Sequence, residues 1–204
     1  MAGFQILAKR IGQLGPTAIR HIKLLVQGLL FAVLVWQSNV GQAADRPTNE
    51  YSIKAAFLYN FSSFVSWPKK VTQHNDEFEL CVVGNDPFGK ALDTLAGKTV
   101  HGQSLKIRRL TDGAITDACQ LVYISESETK RFARLLEKVR ARPVLTVSDI
   151  DGFATHGGII RFKLDSNKVR FDINVDAAER AGLNISSKLL SLATIVREEK
   201  VTAR

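Results

Sequence analysis

Residues 159–175 constrain the fold more tightly than any other stretch, because two apolar/polar alternations meet there across a short polar break. Ile160, Phe162 and Leu164 alternate with Ile159, Arg161 and Lys163; beyond the break, Val169, Phe171, Ile173 and Val175 alternate with Arg170, Asp172 and Asn174. A period of two is that of a half-buried strand, and two such runs around a loop make an antiparallel hairpin with one core face and one charged face. A slip of one residue would carry every side chain to the wrong face, so the register is strongly specified. A turn at residues 165–168 sets Leu164 against Val169, Phe162 against Phe171 and Arg161 against Asp172. It also sets Lys163 against Arg170, and like charges directly opposed in a sheet are destabilising. That pair must stand in solvent or find an acidic partner.

Ahead of the hairpin come short apolar runs of the kind found in buried strands: FELCVVG at 78–84, QLVYI at 120–124 and VLTVS at 144–148. Runs this continuous suit the centre of a parallel sheet covered on both faces. Helix signals separate them. Asp86 with Pro87 marks a helix running to about Leu95, and Ser125 with Glu128 forms a capping box before a helix whose Phe132, Leu135, Leu136 and Val139 share a face. The charged run SLKIRRL at 104–110 reads as an edge strand. Residues 50–67 form a helix with an aromatic stripe of Ile53, Phe57, Phe61 and Phe64, stopped by Pro68. Beyond the hairpin, Asp176 opens a helical turn closed by Gly182, and a final amphipathic helix from about Ser186 turns Leu189, Leu192, Ala193 and Val196 inward. The expected fold is α/β: a single-domain mixed sheet flanked by helices, ending in a C-terminal β-hairpin and amphipathic helix.

Residues 1–44 stand apart. Lys9, Arg10, Arg20 and Lys23 precede a 13-residue uncharged run, LLVQGLLFAVLVW, and the small-residue exit Gly41-Gln42-Ala43-Ala44 follows. This is the pattern of a secretory signal peptide with cleavage near residues 43/44, leaving residues 45–204 as one domain. The alternative is a retained anchor, for which the run falls short of the roughly 20 residues that span a bilayer. Cleavage removes four of the 28 basic residues and none of the 20 acidic ones, so 24 face 20 and the net charge falls from +8 to +4. An exported, mildly basic domain is a poor candidate for nucleic-acid binding. Both cysteines, Cys81 and Cys119, remain in it. An even count in an exported chain favours a disulfide over two buried thiols.

Catalytic signatures are scarce. His74, His101 and His156 lie at no metal-ligand spacing, so no metal is expected. No GxSxG, GxGxxG or GxxxxGK[ST] motif occurs, and no cofactor is expected. Asp149, Asp151 and His156 in SDIDGFATHGG offer acid–base groups, but no nucleophile accompanies them and turn hydrogen bonds explain the aspartates.

Six ordered blocks, AAFLYNFSSFVSWP, CVVGNDPFG, GK..HGQ.L, CQLVYIS.SE, LTVSDIDGFATHGGIIRF and RFDINVDAAERAGLNISSKLLSLA, together resemble the YfiR family over nearly all of residues 50–196. The resemblance implies a non-enzymatic periplasmic repressor of an inner-membrane diguanylate cyclase, which controls cyclic di-GMP and biofilm formation. It further implies a homodimer, sequestration by an outer-membrane peptidoglycan-binding lipoprotein, and a fold-supporting Cys81–Cys119 bridge. Some relatives carry a further cysteine pair near residues 148–158; this chain has none there, so a second redox-sensitive switch is not carried over. The expected contact surface joins the hairpin's polar face (Arg161, Lys163, Arg170, Asp172, Asn174) to Phe153 and Lys188 at its margin. The alternatives are a solvated sheet face, a small-anion sensor using Lys163, Arg170 and Lys188, and a hydrolase using His156 and Asp149.

Overall fold

A computed structural model describes residues 46–69, 76–110 and 113–197. The leader assigned to residues 1–44 lies outside the described residues. Among the described residues no helix is long and apolar enough to cross a membrane.

The chain opens on α1 (Arg46–Phe64), which passes directly into the two-residue strand β1 (Val65–Ser66). Then follow β2 (Glu77–Val83), α2 (Lys90–Asp93), β3 (Thr99–Val100), β4 (Gln103–Leu110), β5 (Cys119–Ile124), α3 (Phe132–Glu137) and β6 (Leu145–Ser148). The hairpin is β7 (Ile160–Asp165) and β8 (Lys168–Asn174), followed by α4 (Val175–Arg180), β9 (Asn184–Ile185), α5 (Ser187–Leu190) and β10 (Thr194–Val196). Eight strands form one mixed sheet in the order β10-β8-β7-β6-β5-β2-β4-β3, and β1 pairs with β9 beside it. This is the mixed α/β sheet flanked by helices that the sequence predicts.

The central strands behave as their composition requires. Every residue of β5 and β6 is buried, as is β2 beyond Glu77. Alternate residues serve two cores: Leu80, Val82, Leu121 and Tyr123 face α1, whereas Cys81, Val83, Val122 and Ile124 face α3 with its Leu135, Leu136 and Val139. β2 and β5 run parallel with a register shift at Glu79/Leu80, where Glu79 N donates to the Gln120 side chain at 2.6 Å. The side-chain oxygen of the inserted residue thus replaces a ladder acceptor. Cys81 and Cys119 are bridged here with Cα atoms 5.9 Å apart. The bridge closes a loop of 38 residues, which in the chain-entropy treatment contributes about 4 kcal/mol. Paired Cys81→Ser and Cys119→Ser substitutions should lower the urea-unfolding free energy by 2–5 kcal/mol, approximately. A loss under 1 kcal/mol would assign the stability to the two cores alone.

The hairpin adopts the anticipated register: Arg161↔Asp172, Phe162↔Phe171, Lys163↔Arg170, Leu164↔Val169, with Asp165↔Lys168 closing the ladder. Ser166 and Asn167 have φ of 50° and 61°, so the strands meet in a two-residue turn whose left-handed pair matches strand twist. Phe162 and Phe171 pack against Phe57 and Phe61 of α1 at ring-centroid distances of 5.0–6.2 Å.

Several elements differ from the expectation: the helix from Asp86 is a single turn that starts at Lys90, the helix from Ser125 divides into a 3-10 turn (Glu126–Glu128) and α3, and β4 lies between β2 and the short edge strand β3. The final amphipathic helix is one turn, α5, after which residues 194–196 form an edge strand parallel to β8. Ser186 caps the turn by accepting from Leu189 N at 3.3 Å, and Leu189 is buried, but Leu192 is 63% exposed. Thr194-Ile195-Val196 is β-branched throughout, and the free edge of β8 supplies backbone partners that a second helical turn would not. The stripe on α1 is also rotated from expectation. Ala55, Leu58, Phe61 and Ser62 are buried, while Ile53 and Phe64 are 41% and 36% exposed.

Candidate interaction surface

On the hairpin's polar face the charges largely satisfy one another. Asp172, with its side chain 8% exposed, accepts from Lys163 Nζ on one oxygen and lies 3.4 Å from Arg161 Nη1 on the other. Arg161 also pairs with Asp151 in the loop after β6, and Lys163 donates to Thr194 Oγ1 of β10 at 3.2 Å. The Lys163/Arg170 opposition is thereby relieved: Lys163 turns to the diagonal carboxylate and Arg170 extends into solvent.

Two of the anticipated contact residues are structural. Phe153 is 0% exposed, packed 5.8 Å from Phe132 and against Gly158, where a Cβ would run into its ring. Asn174 is also 0% exposed; its Nδ2 donates to Ala154 O at 2.6 Å and its Oδ1 accepts from Ala177 N at 2.9 Å, capping α4. Lys188 lies over the Phe64 ring at 5.5 Å, on the α1 side of the sheet, away from Lys163 and Arg170. The three cations of the anion-sensor reading are therefore not brought together.

Asp149 and His156 are likewise engaged elsewhere. His156 is exposed, with Nδ1 2.7 Å from Gly152 O. Asp149 directly follows β6 at the carboxyl edge of the sheet, where α/β folds place ligands, and its side chain is 6% exposed. It accepts from Tyr123 Oη, from Lys54 Nζ at 2.6 Å and from Tyr51 Oη at 3.3 Å. Lys54, 3% exposed, also meets Glu50 at 2.5 Å and stacks over the Tyr51 ring at 4.6 Å. Burial first, then the Asp149 charge, pushes both tyrosine hydroxyls well above their usual 10.0 and keeps them as donors. A buried cation held by carboxylates and neutral hydroxyls joins the first turns of α1 to β5 and β6. The sequence signal for it was available: Lys54 is the only charged residue between Tyr51 and Phe64. Glu79, Cys81 and Cys119 also converge, but the disulfide leaves both sulfurs unable to act as thiolate metal ligands.

With Lys54 turned inward, the outer face of α1 carries no charge between Tyr51 and Phe64. Ile53, Ala56, Asn60, Ser63 and Phe64 share it at helical spacing and are exposed. Lys98 and Lys188 flank the helix but lie over the Tyr59 and Phe64 rings. The cores of protein interfaces are depleted of charge and anchored by aromatic side chains, so this face fits a contact surface better than the neutralised ladder behind the hairpin.

A family profile described as YfiR/HmsC-like matches residues 51–194. Among solved structures, the chain is similar to a conserved domain protein from Vibrio cholerae O1 biovar El Tor strain N16961, at 14% identity and a TM-score of 0.49. The match covers 71% of this chain and 59% of that one.

Proposed function

The chain belongs to the YfiR/HmsC-like family, and on that premise we propose that it represses an inner-membrane diguanylate cyclase by binding the cyclase's periplasmic domain. The family consists of periplasmic regulators of diguanylate cyclase signalling that act through a periplasmic domain of a signalling partner, and it is generally non-catalytic. The observation that carries the proposal is the family match, which spans both cores, the disulfide and the hairpin. The Cys81–Cys119 bridge fits an oxidising compartment.

In this reading residues 1–44 are a leader cleaved on export, and residues 45–204 are the working domain. It acts as a homodimer and is withdrawn from the cyclase by an outer-membrane peptidoglycan-binding lipoprotein. Repression requires tighter binding to the inactive cyclase than to the active one, since only differential affinity shifts an equilibrium. The uncharged face of α1 makes the contact, with Ile53 and Phe64 as anchors.

Deleting the gene in a strain that expresses the cyclase should raise cellular cyclic di-GMP, measured by mass spectrometry, and deleting the cyclase as well should abolish the rise. An unchanged level in the single deletion would defeat the proposal.

A further inference from the structure

The opposite side of the sheet from α1 carries a concentrated basic segment. Residues 130–142, KRFARLLEKVRAR, hold six basic residues and one acidic, a net +5. Residues 45–204 carry +4 in all, 24 basic against 20 acidic, so everything outside this segment sums to −1. Leu135, Leu136 and Val139 point into the core, while Lys130, Arg134 and Lys138, spaced by four, are exposed. Neighbouring cations are partnered: Arg131 by Glu128, Arg140 by Glu137 and Arg142 by Asp117. Lys130, Arg134 and Lys138 have no ion-pair partner among the described residues. Arg140 and Arg180 line one narrow crevice beside α3, extending the basic surface toward α4.

We propose that this α3 face rests on the anionic phospholipid surface of the inner membrane, holding the repressor beside its membrane-bound target. The inference rests on the periplasmic assignment. Lipid is favoured over an acidic protein because the surface lacks anchors. Among the described residues the exposed large hydrophobics, Ile53, Phe64, Leu164, Leu192 and Ile195, all lie outside this segment, and the half-buried Phe132 packs toward Phe153. A protein interface needs apolar or aromatic anchors at its centre, whereas attraction to headgroup phosphates needs only basic side chains that reach the surface. α1 lies across the sheet from α3, so a molecule seated this way keeps its uncharged face available for protein contact.

The test is co-sedimentation of the protein purified from the periplasm with vesicles of phosphatidylethanolamine and phosphatidylglycerol, against vesicles of phosphatidylcholine alone. The protein should pellet with the former at low ionic strength and be released by high salt. A Lys130→Gln/Arg134→Gln/Lys138→Gln variant should lose about 100-fold in partitioning, roughly fivefold for each cation. Its binding to the cyclase's periplasmic domain in solution should be unchanged, so lipid binding and repression are scored separately. Equal pelleting with both vesicle types, or salt-insensitive binding by the unaltered protein, overturns the proposal without reference to any variant. Absent vesicle binding, combined with loss of cyclase binding in the variant, assigns the face to an acidic protein instead.

Discussion

Lys54→Met is expected to lower the unfolding free energy by about 3–5 kcal/mol, the range for breaking one partner out of a buried ion pair. Asp149 has 6% of its side chain exposed and Lys54 has 4%, so neither reaches bulk water when the other is removed. Asp149 would keep the Tyr123 and Tyr51 hydroxyls, which ease the burial of a carboxylate but do not neutralise it. Glu50, with 24% of its side chain exposed, would lose the same cation and add repulsion. Adding Asp149→Asn removes the stranded charge while retaining a carbonyl acceptor for the tyrosines. The double variant should therefore recover roughly 1–3 kcal/mol, the usual coupling between contacting groups. Urea denaturation of the four proteins of the cycle measures both quantities. A single-variant loss below about 1 kcal/mol would mean that water reaches Asp149 and that the network does not hold α1 to the sheet.

How far the sequence could be read follows from which interactions are local. The hairpin register was legible because period-two alternation and a two-residue turn are both written within residues 159–175. The three central strands were legible because strands covered on both faces need continuous apolar runs. Long-range competition was not legible. Nothing near Thr194 announces that the free edge of β8 will take residues 194–196 as a strand. On α1, the aromatic spacing identified a helix but the wrong centre for its buried face, because the stripe of larger residues ignored Ala55 and Ser62. Two members of the expected contact set, Asn174 and Phe153, were misread for the same reason. Period two placed Asn174 correctly on the polar side of its strand, yet the loop carrying Ala154 covers that end and turns Asn174 into a cap. Phe153 fills the space left open by Gly158, a fit that one-dimensional pattern cannot express.

Phe64→Asp together with Ile53→Asp should abolish repression while leaving the fold intact. Both side chains are more than a third exposed in the free domain, so substitution there should change stability by only about 0.5 kcal/mol each. In the complex the same carboxylates would be buried against an uncharged helix face without partners, costing at least about 2 kcal/mol. That corresponds to a loss of about 30-fold or more in affinity for the cyclase's periplasmic domain, measurable by titration calorimetry, with a matching rise in cellular cyclic di-GMP. Arg170→Asp supplies the contrast: it reverses an exposed charge on the hairpin's opposite face and should alter affinity by less than about threefold. Sedimentation of the double variant separates two occupants of the α1 face. A dimer that persists with binding lost assigns the face to the cyclase, whereas dissociation to monomers with binding retained assigns it to a second copy of the chain. Full repression by the double variant, coupled with loss in Arg170→Asp, would return the contact to the charged hairpin. In that case the ladder of Arg161, Lys163 and Asp172 would have to open on binding, at the cost of exposing Asp172 to a new partner.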